Sequence, residues 1–222
     1  RAIKKSVKPN SLVVDAGTGT GIMALFAARA GARKVYALEI DSEIAEMTRN
    51  TVRATGYGKI ITVVNCDIRN FYLPSNESAD VLIMELLDTG LIAEHQAIAT
   101  LALKKNKVIG KETILVPGRV VSVVRPVSYD FNFYGFEMPI TIQARNFRAT
   151  QNIQTSLANP VIYNDLDLKN IKTLIINSNV KIAVNHDGVV NAFELVTYTH
   201  LLNRRYGATT DMNMPVIVPV AP

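Results

Sequence analysis

The sequence predicts an α/β domain built on a parallel sheet, followed by a smaller β-rich domain. Three observations predict it. Short apolar strands alternate with helix-like stretches through the first half, a run of glycines follows the first strand, and near Pro117–Gly118 helical periodicity gives way to strands and turns. Strands that are apolar throughout, separated by helices, must be covered on both faces, which is the pattern of a parallel sheet.

Taken in order, Ser11–Ala16 (SLVVDA) is a continuous apolar run, and glycines lead from it into a helix over Ile22–Ala30. Lys34–Glu39 (KVYALE) is a second strand. Ser42–Thr55 reads as a helix with Ser42 as N-cap, since a short side-chain oxygen ahead of an amphipathic run can accept from the first free amides. Ile60–Asn65, Ala79–Met84 and Glu112–Val116 are further strands, with a helix over His95–Leu103 before the last. Residues 1–117 form the α/β domain on this reading. Beyond it, Arg119–Pro126, Val161–Tyr163, Thr173–Ile176, Val180–Val184 and Val189–Thr199 are β-rich, with turns at Asn164–Asp165 and Asp187–Gly188. They predict an antiparallel partial barrel or sandwich over 118–222.

Composition narrows the function. With 48% hydrophobic and 19% charged residues, the 222-residue chain can bury a substantial core. The lone Cys66 excludes an internal disulfide framework and a Cys-rich zinc site, and points to a reducing, cytoplasmic compartment. The net charge of +5 is spread, with 15 basic against 12 acidic residues up to Pro117 and 9 against 7 beyond it. Lys104, Lys105, Lys107 and Lys111 are the densest basic stretch and read as a solvated helix end and loop, so nucleic acid is not the expected partner. The longest apolar runs, such as Ile22–Ala30, are too short to span a bilayer. The chain opens at Arg1 rather than Met, so residues upstream are expected and a removed leader stays open.

The segment from Val13 to Gly31, VVDAGTGTGIMALFAARAG, carries the first chemistry. A strand ends at Asp15, and Gly17, Gly19 and Gly21 precede a helix. Glycines let the backbone turn sharply and approach a ligand, and the helix start offers unpaired amides. A dinucleotide fold would hold a pyrophosphate here, on G-x-G-x-x-G spacing. This chain places its third glycine one residue earlier and an acid two residues before the first. A carboxylate repels a pyrophosphate but attracts a sulfonium with an α-ammonium group. The motif therefore predicts a Rossmann-like domain that binds S-adenosylmethionine (SAM), with S-adenosylhomocysteine as product. Glu39, which ends the second strand 24 positions after Asp15, is expected to grip the ribose hydroxyls. Asp41 is an alternative for that role, or helix N-terminal charge. Asp67 is placed to accept from the adenine amino group, or to form a turn, and Ile68 to pack on the ring.

The stretch DAGTGTGIMALFAARAGARKVYALE, and MELLDTGLIAE after the fourth strand, resemble the protein arginine methyltransferases. The family clamps the substrate guanidinium between two glutamates nine positions apart, the separation of Glu85 and Glu94. The resemblance thus implies Glu85 and Glu94 as catalytic residues, a protein or peptide arginine as acceptor, and a homodimer. ELLDTGLI is most similar to the branch that stops at monomethylation. NFYGFEM (Asn132–Met138) resembles the opening of the family's β-barrel, which carries its dimerisation arm, and YGATTDMNMPVIVPV from Tyr206 resembles a later barrel segment. The chemistry agrees: guanidinium is planar and stays protonated, so bidentate carboxylates suit it. Two of them could draw positive charge away from one nitrogen and hold it in line for direct SN2 displacement at the sulfonium methyl.

The chain departs from the family in several places. It has no Trp where the family backs its clamp with a Thr-His-Trp loop, and the matching stretch is Thr209–Met214 (TTDMNM). None of His95, His186 and His200 fills that slot. The aromatic helix that closes over SAM and the second half of the barrel have no counterpart, and the arm region Ile140–Leu168 is short. Other acceptors stay open: a small molecule, RNA, or none, the chain then being a SAM-binding scaffold. Met84-Glu85-Leu86-Leu87 occupies the place where a nucleobase amino-methyltransferase would carry an Asn/Asp-Pro-Pro-aromatic turn.

Overall fold

The computed structural model describes residues 1–74, 77–91, 94–143, 154–202, 204–208 and 214–220. A short helix, α1 (Ala2–Ser6), precedes β1 (Leu12–Ala16), α2 (Ile22–Arg29), β2 (Lys34–Glu39), α3 (Ser42–Ala54), β3 (Ile61–Asn65), β4 (Ala79–Met84), α4 (Gln96–Lys105) and β5 (Ile109–Val116). The five strands form one parallel sheet in the order β3-β2-β1-β4-β5. The order reverses between β1 and β4, and at such a switch point the loops leaving the strands' carboxyl ends diverge and open a crevice. β1 is buried along its whole length, which explains its uninterrupted apolar sequence.

The second sheet is antiparallel, with β10 (Gln154–Ser156), β6 (Arg119–Tyr129), β12 (Ala192–Leu201), β14 (Val216–Pro219) and β9 (Ile142–Gln143) in order. β11 (Val161–Asp167) also pairs with β6, and β13 (Arg204–Ala208) with β12. β7 (Asn132–Phe133) and β8 (Phe136–Glu137) form a separate hairpin. Val120 and Leu168 pack into the same core as Leu87, Leu103 and Leu115, so the β-rich part rests on the parallel sheet through buried side chains.

Five local expectations change. The N-cap of α3 is Asp41, not Ser42: its carboxylate accepts from the Glu43 and Ile44 amides at 2.9 and 3.0 Å, and a negative charge suits a helix start. The strand expected from Glu112 begins at Ile109, because Ile109 pairs with Ala79, and Lys111 is therefore on a strand. Thr173–Ile176 forms no strand. Both edges of β6 are filled, by β11 and β10 on one side and β12 on the other. Val180–Val184 likewise contributes only a single bridge, Val184 to Ala158. Asn164–Asp165 is no turn: the pairing of β11 with β6 shifts between Ile162 and Asn164, leaving Tyr163 as the extra residue of a bulge. The TTDMNM stretch, Met214 apart, lies outside the described residues, as does 144–153 of the expected arm.

Candidate active site

At the end of β1 the glycine bend is fixed from two sides. The Gly17 and Thr18 amides donate to the Leu38 carbonyl at 3.0 and 2.8 Å, tying the bend to β2. Gly17, Gly19 and Gly21 all have left-handed φ values, 77°, 52° and 82°. A Cβ on Gly17 would also come within 2.8 Å of Leu86 Cδ2, next to Glu85, so the bend packs directly on the start of the acidic loop. At Gly19 an added Cβ would meet nothing within 4 Å, so this part of the bend faces open space.

Glu39 is buried, at 8% exposure, and both its oxygens are engaged: Oε2 accepts from the Gly19 amide and Oε1 from the Asp41 amide, each at 3.0 Å. Two backbone donors compensate for burying this charge at the end of an apolar strand. Asp67 caps a short helical turn and pairs with Arg69, whose Nε lies 2.9 Å from Oδ2. That pairing, first through the hydrogen bonds, holds the Asp67 carboxyl below the ordinary range. Gly17, Glu39, Ile40, Asp67, Ile68 and Leu86 line one cavity of about 380 Å³, whose far wall is Glu94, His95 and Ile98.

Asp15 is held differently from the expectation of a charge facing a ligand. It is 2% exposed and lies under the bend, accepting from Thr18 Oγ1 at 2.6 Å and from the Ala24 amide. Burial pushes its carboxyl up to about 6, against the partial relief of those hydrogen bonds. The folded chain thus holds this proton more tightly than the unfolded chain, so Asp15 adds stability at acid pH that is lost as pH rises from about 4 to about 6. With roughly 1.4 kcal/mol per unit, the change is about 3 kcal/mol. Asp15→Asn removes it. The urea stability of wild type relative to this variant is expected to drop by that amount between pH 4 and 7, and a pH-independent difference would refute the assignment.

The acidic loop runs from Glu85, after β4, to Glu94, before α4. Glu85 is half-buried and Glu94 exposed. Burial first, and then the negative charge of Glu94, raise the Glu85 carboxyl above the ordinary range. The two glutamates are therefore close enough to repel, and the loop gathers like charge for a cation.

Gln96 holds this arrangement, and the sequence reading missed it. Its side chain, 1% exposed, donates to the Met84 carbonyl at 2.9 Å and accepts from the Leu86 amide at 2.8 Å, bracketing Glu85 from two residues beyond Glu94. The available signal was an amide at the start of an otherwise apolar helical run. A second cavity, of about 470 Å³, shares Glu94, His95 and Ile98 with the first and extends towards Asn164 and Thr173–Ile176. Among the described residues no group of three or more His, Cys, Asp or Glu side chains is arranged to hold a metal ion.

The five-stranded order, the glycine bend at its switch point and the carboxylate closing β2 define a class I SAM-dependent methyltransferase. The ribosomal protein L11 methyltransferase (PrmA) family model matches residues 1–115, and the chain belongs to that family. Similarity to the protein arginine methyltransferases is also found. Protein arginine N-methyltransferase 1 of Oryza sativa subsp. indica is 32% identical over 139 residues, 58% of this chain and 35% of that protein. The chain thus spans about a third of that relative's length. Uncharacterized protein MJ1452 of Methanocaldococcus jannaschii is 26% identical over 220 residues, 99% of this chain and 79% of that protein. The Trypanosoma brucei PRMT1 enzyme-prozyme heterotetrameric complex with AdoHcy shares the fold, with a TM-score of 0.74 at 20% identity over 100% of this chain and 72% of that one.

SAM fits the residues present. An open glycine bend, a carboxylate at the end of β2 and an apolar wall of Ile40, Ile68 and Leu86 border one cavity that ends at Glu94. No described helix is long and apolar enough to cross a membrane.

Proposed function

We propose that the chain methylates a guanidinium nitrogen of arginine in a protein or peptide. The observation that carries this reading is that Glu94 lines the same cavity as Gly17 and Glu39, while Glu85, which does not line it, precedes the lining Leu86 and feels the charge of Glu94. Two carboxylates forced together are costly until a cation neutralises both, and guanidinium offers donors in a plane to each.

In this reading Glu39 and the glycine bend hold SAM, with Asp67 and Ile68 at its adenine end. When bound, SAM supplies an electrophilic methyl group on a cationic sulfur. Asp15 acts from beneath, its carboxyl orienting Thr18 and the start of α2 while adding negative potential under the bend. Glu85 and Glu94 grip opposite edges of the guanidinium, orient one nitrogen towards the cavity and draw the positive charge to the others. The raised Glu85 carboxyl falls as it meets the cation, and in its ionised form it can take up the proton that the methylated nitrogen sheds.

The division of labour follows the two sheets: residues 1–117 bind SAM and carry the clamp, and 118–222 support the acceptor and a second copy of the chain. Exposed Ile22 and Phe26 on α2, with Ile44 and Met47 on α3, leave an apolar face for such a copy. A cytoplasmic location accords with the single reduced cysteine. The same clamp would accept free arginine, a reading favoured by the similarity to the Arginine N(omega)-methyltransferase of Streptomyces achromogenes subsp. streptozoticus, 35% identical over 99 residues, 42% of this chain and 26% of that protein.

The test incubates the chain with methyl-labelled SAM and, separately, an arginine-rich peptide pool, its lysine counterpart, free arginine and RNA. Label in methylarginine of the peptide supports the proposal, and label in free arginine alone selects the second reading. Label only in lysine or RNA, or none anywhere, would overturn both.

A further inference from the structure

The acidic loop does not stand on the parallel sheet alone. Its turn, Thr89–Gly90, is fully buried against the β-rich sheet. The Gly90 amide donates to Thr197 Oγ1 at 2.8 Å, and Thr89 Oγ1 donates to the Met214 carbonyl at 3.0 Å. Thr197, on β12, faces Ser122 directly across the pairing with β6, and their hydroxyl oxygens are 2.9 Å apart. Both residues are completely buried. On the other edge of β6, Ser122 pairs with Asn164 of β11, next to Tyr163, the extra residue of the bulge. Ser122 and Thr197 thus form a pair of buried hydroxyls that ends on a loop amide.

The loop needs this support. Gly90 and Leu91 are both in the left-handed region, at φ values of 82° and 59°, a conformation that a leucine adopts only where its surroundings enforce it. The turn sits in mid-loop, so a rotation there would carry Glu94 relative to Glu85. A buried amide with no acceptor is strongly disfavoured, and Thr197 Oγ1 is the acceptor that the native turn presents to Gly90.

We propose that Thr197, backed by Ser122, is a positioning residue: it latches the acidic loop to the β-rich sheet and so sets the relation of Glu85 to Glu94. The inference rests on the arginine-clamp reading for its kinetic consequence, but not for its structural one. It gives the second sheet a direct part in the chemistry, exerted through a pair of hydroxyls in a protein that has no Trp.

Thr197→Val keeps the shape and removes the acceptor, and Thr197→Ser keeps the acceptor. With the arginine-rich peptide pool as acceptor, Thr197→Val is expected to lower kcat roughly ten-fold or more. KM for SAM and SAM affinity by calorimetry should stay within about two-fold, and Thr197→Ser should restore kcat. Hydrogen exchange at the Gly90 amide is the readout independent of activity: slow in wild type and Thr197→Ser, fast in Thr197→Val. A purely architectural threonine would change melting temperature without this kcat-specific loss or its rescue. Should Thr197→Val fail to fold, Ser122→Ala decides, with a several-fold kcat loss expected at unchanged SAM affinity.

Unchanged kcat and unchanged Gly90 exchange in the folded variant would overturn the latch while the clamp stands on Glu94→Gln. Conversely, a wild type that never labels arginine would remove the clamp, with Gly90 exchange still deciding the latch.

Discussion

Glu94→Gln is expected to abolish methyl transfer, with a fall in kcat of roughly 10³-fold or more, while SAM affinity stays within about three-fold. The asymmetry follows from where Glu94 sits. It is exposed, and an exposed ion pair contributes little to ground-state binding, so acceptor KM should change less than kcat. Its larger effect is on charge distribution: the nitrogen that attacks must recover lone-pair character, which requires the cationic charge to be drawn to the other nitrogens. Glutamine matches the shape but not the charge. The variant also tests the pairing without any acceptor. Replacing Glu94 by a neutral group removes the repulsion that helps raise the Glu85 carboxyl, so Glu85 should titrate at lower pH in Glu94→Gln, by carboxyl-carbon NMR. Desolvation remains, so the return to the ordinary range should be incomplete. A variant with wild-type kcat, or with an unmoved Glu85, would disprove the clamp.

The parallel sheet was legible because its signals are local. Each strand is an apolar run of the length a buried parallel strand needs, and Lys34–Glu39 and Ala79–Met84 fall where the sequence puts them. The glycine bend and the acid at the end of β2 were legible for the same reason, since their chemistry is set by residues within one turn. The second sheet was less so. Thr173–Ile176 is as apolar as a strand, but strand formation depends on pairing with segments elsewhere in the sequence, and the places along both edges of β6 go to β10, β11 and β12 instead. Asn164–Asp165 has turn composition, yet a bulge absorbed the irregularity, and Asp165 pairs with Arg119 across the strands instead. In the site, Asp15 shows the limit most clearly. Sequence gives a carboxylate beside a glycine bend but not which way it faces, and a hydroxyl three residues on draws it inward. Gln96, marked only as an amide opening an apolar helix, and Thr197 were hard to read for a related reason. Each acts on backbone groups of another element, and single residues that bond backbone leave no spacing to detect.

Glu39→Gln is expected to cost SAM affinity about 100-fold or more, which at roughly 1.4 kcal/mol per decade is about 3 kcal/mol. The carboxylate accepts from two amides on different elements, Gly19 on the glycine bend and Asp41 at the N-cap of α3. A glutamine has one oxygen and one NH₂ in the same places. Whichever way it is turned, an N–H then points at a buried N–H, and one of those amides is left without an acceptor, a cost of about 1–3 kcal/mol. The ribose hydroxyls meanwhile lose a charged acceptor, which is roughly twice as strong as a neutral one. Only the loss at the two ribose hydroxyls, about 1.5 kcal/mol each, enters the binding free energy, because the stranded amide is already present in the ligand-free variant and lowers its stability instead. Calorimetry with SAM and with S-adenosylhomocysteine should therefore show a similar decline for both, since neither loss involves the methyl group. Thermal stability of the ligand-free variant should also fall by a few degrees, reflecting the stranded amide alone. A binding loss without any stability change would place Glu39 on the ribose but not on the bend. Affinity kept within about three-fold would mean that the acid closing β2 does not hold the cofactor at all. The comparison with Glu94→Gln then separates the two halves of the cavity, because one variant would bind without transferring and the other would fail before transfer begins.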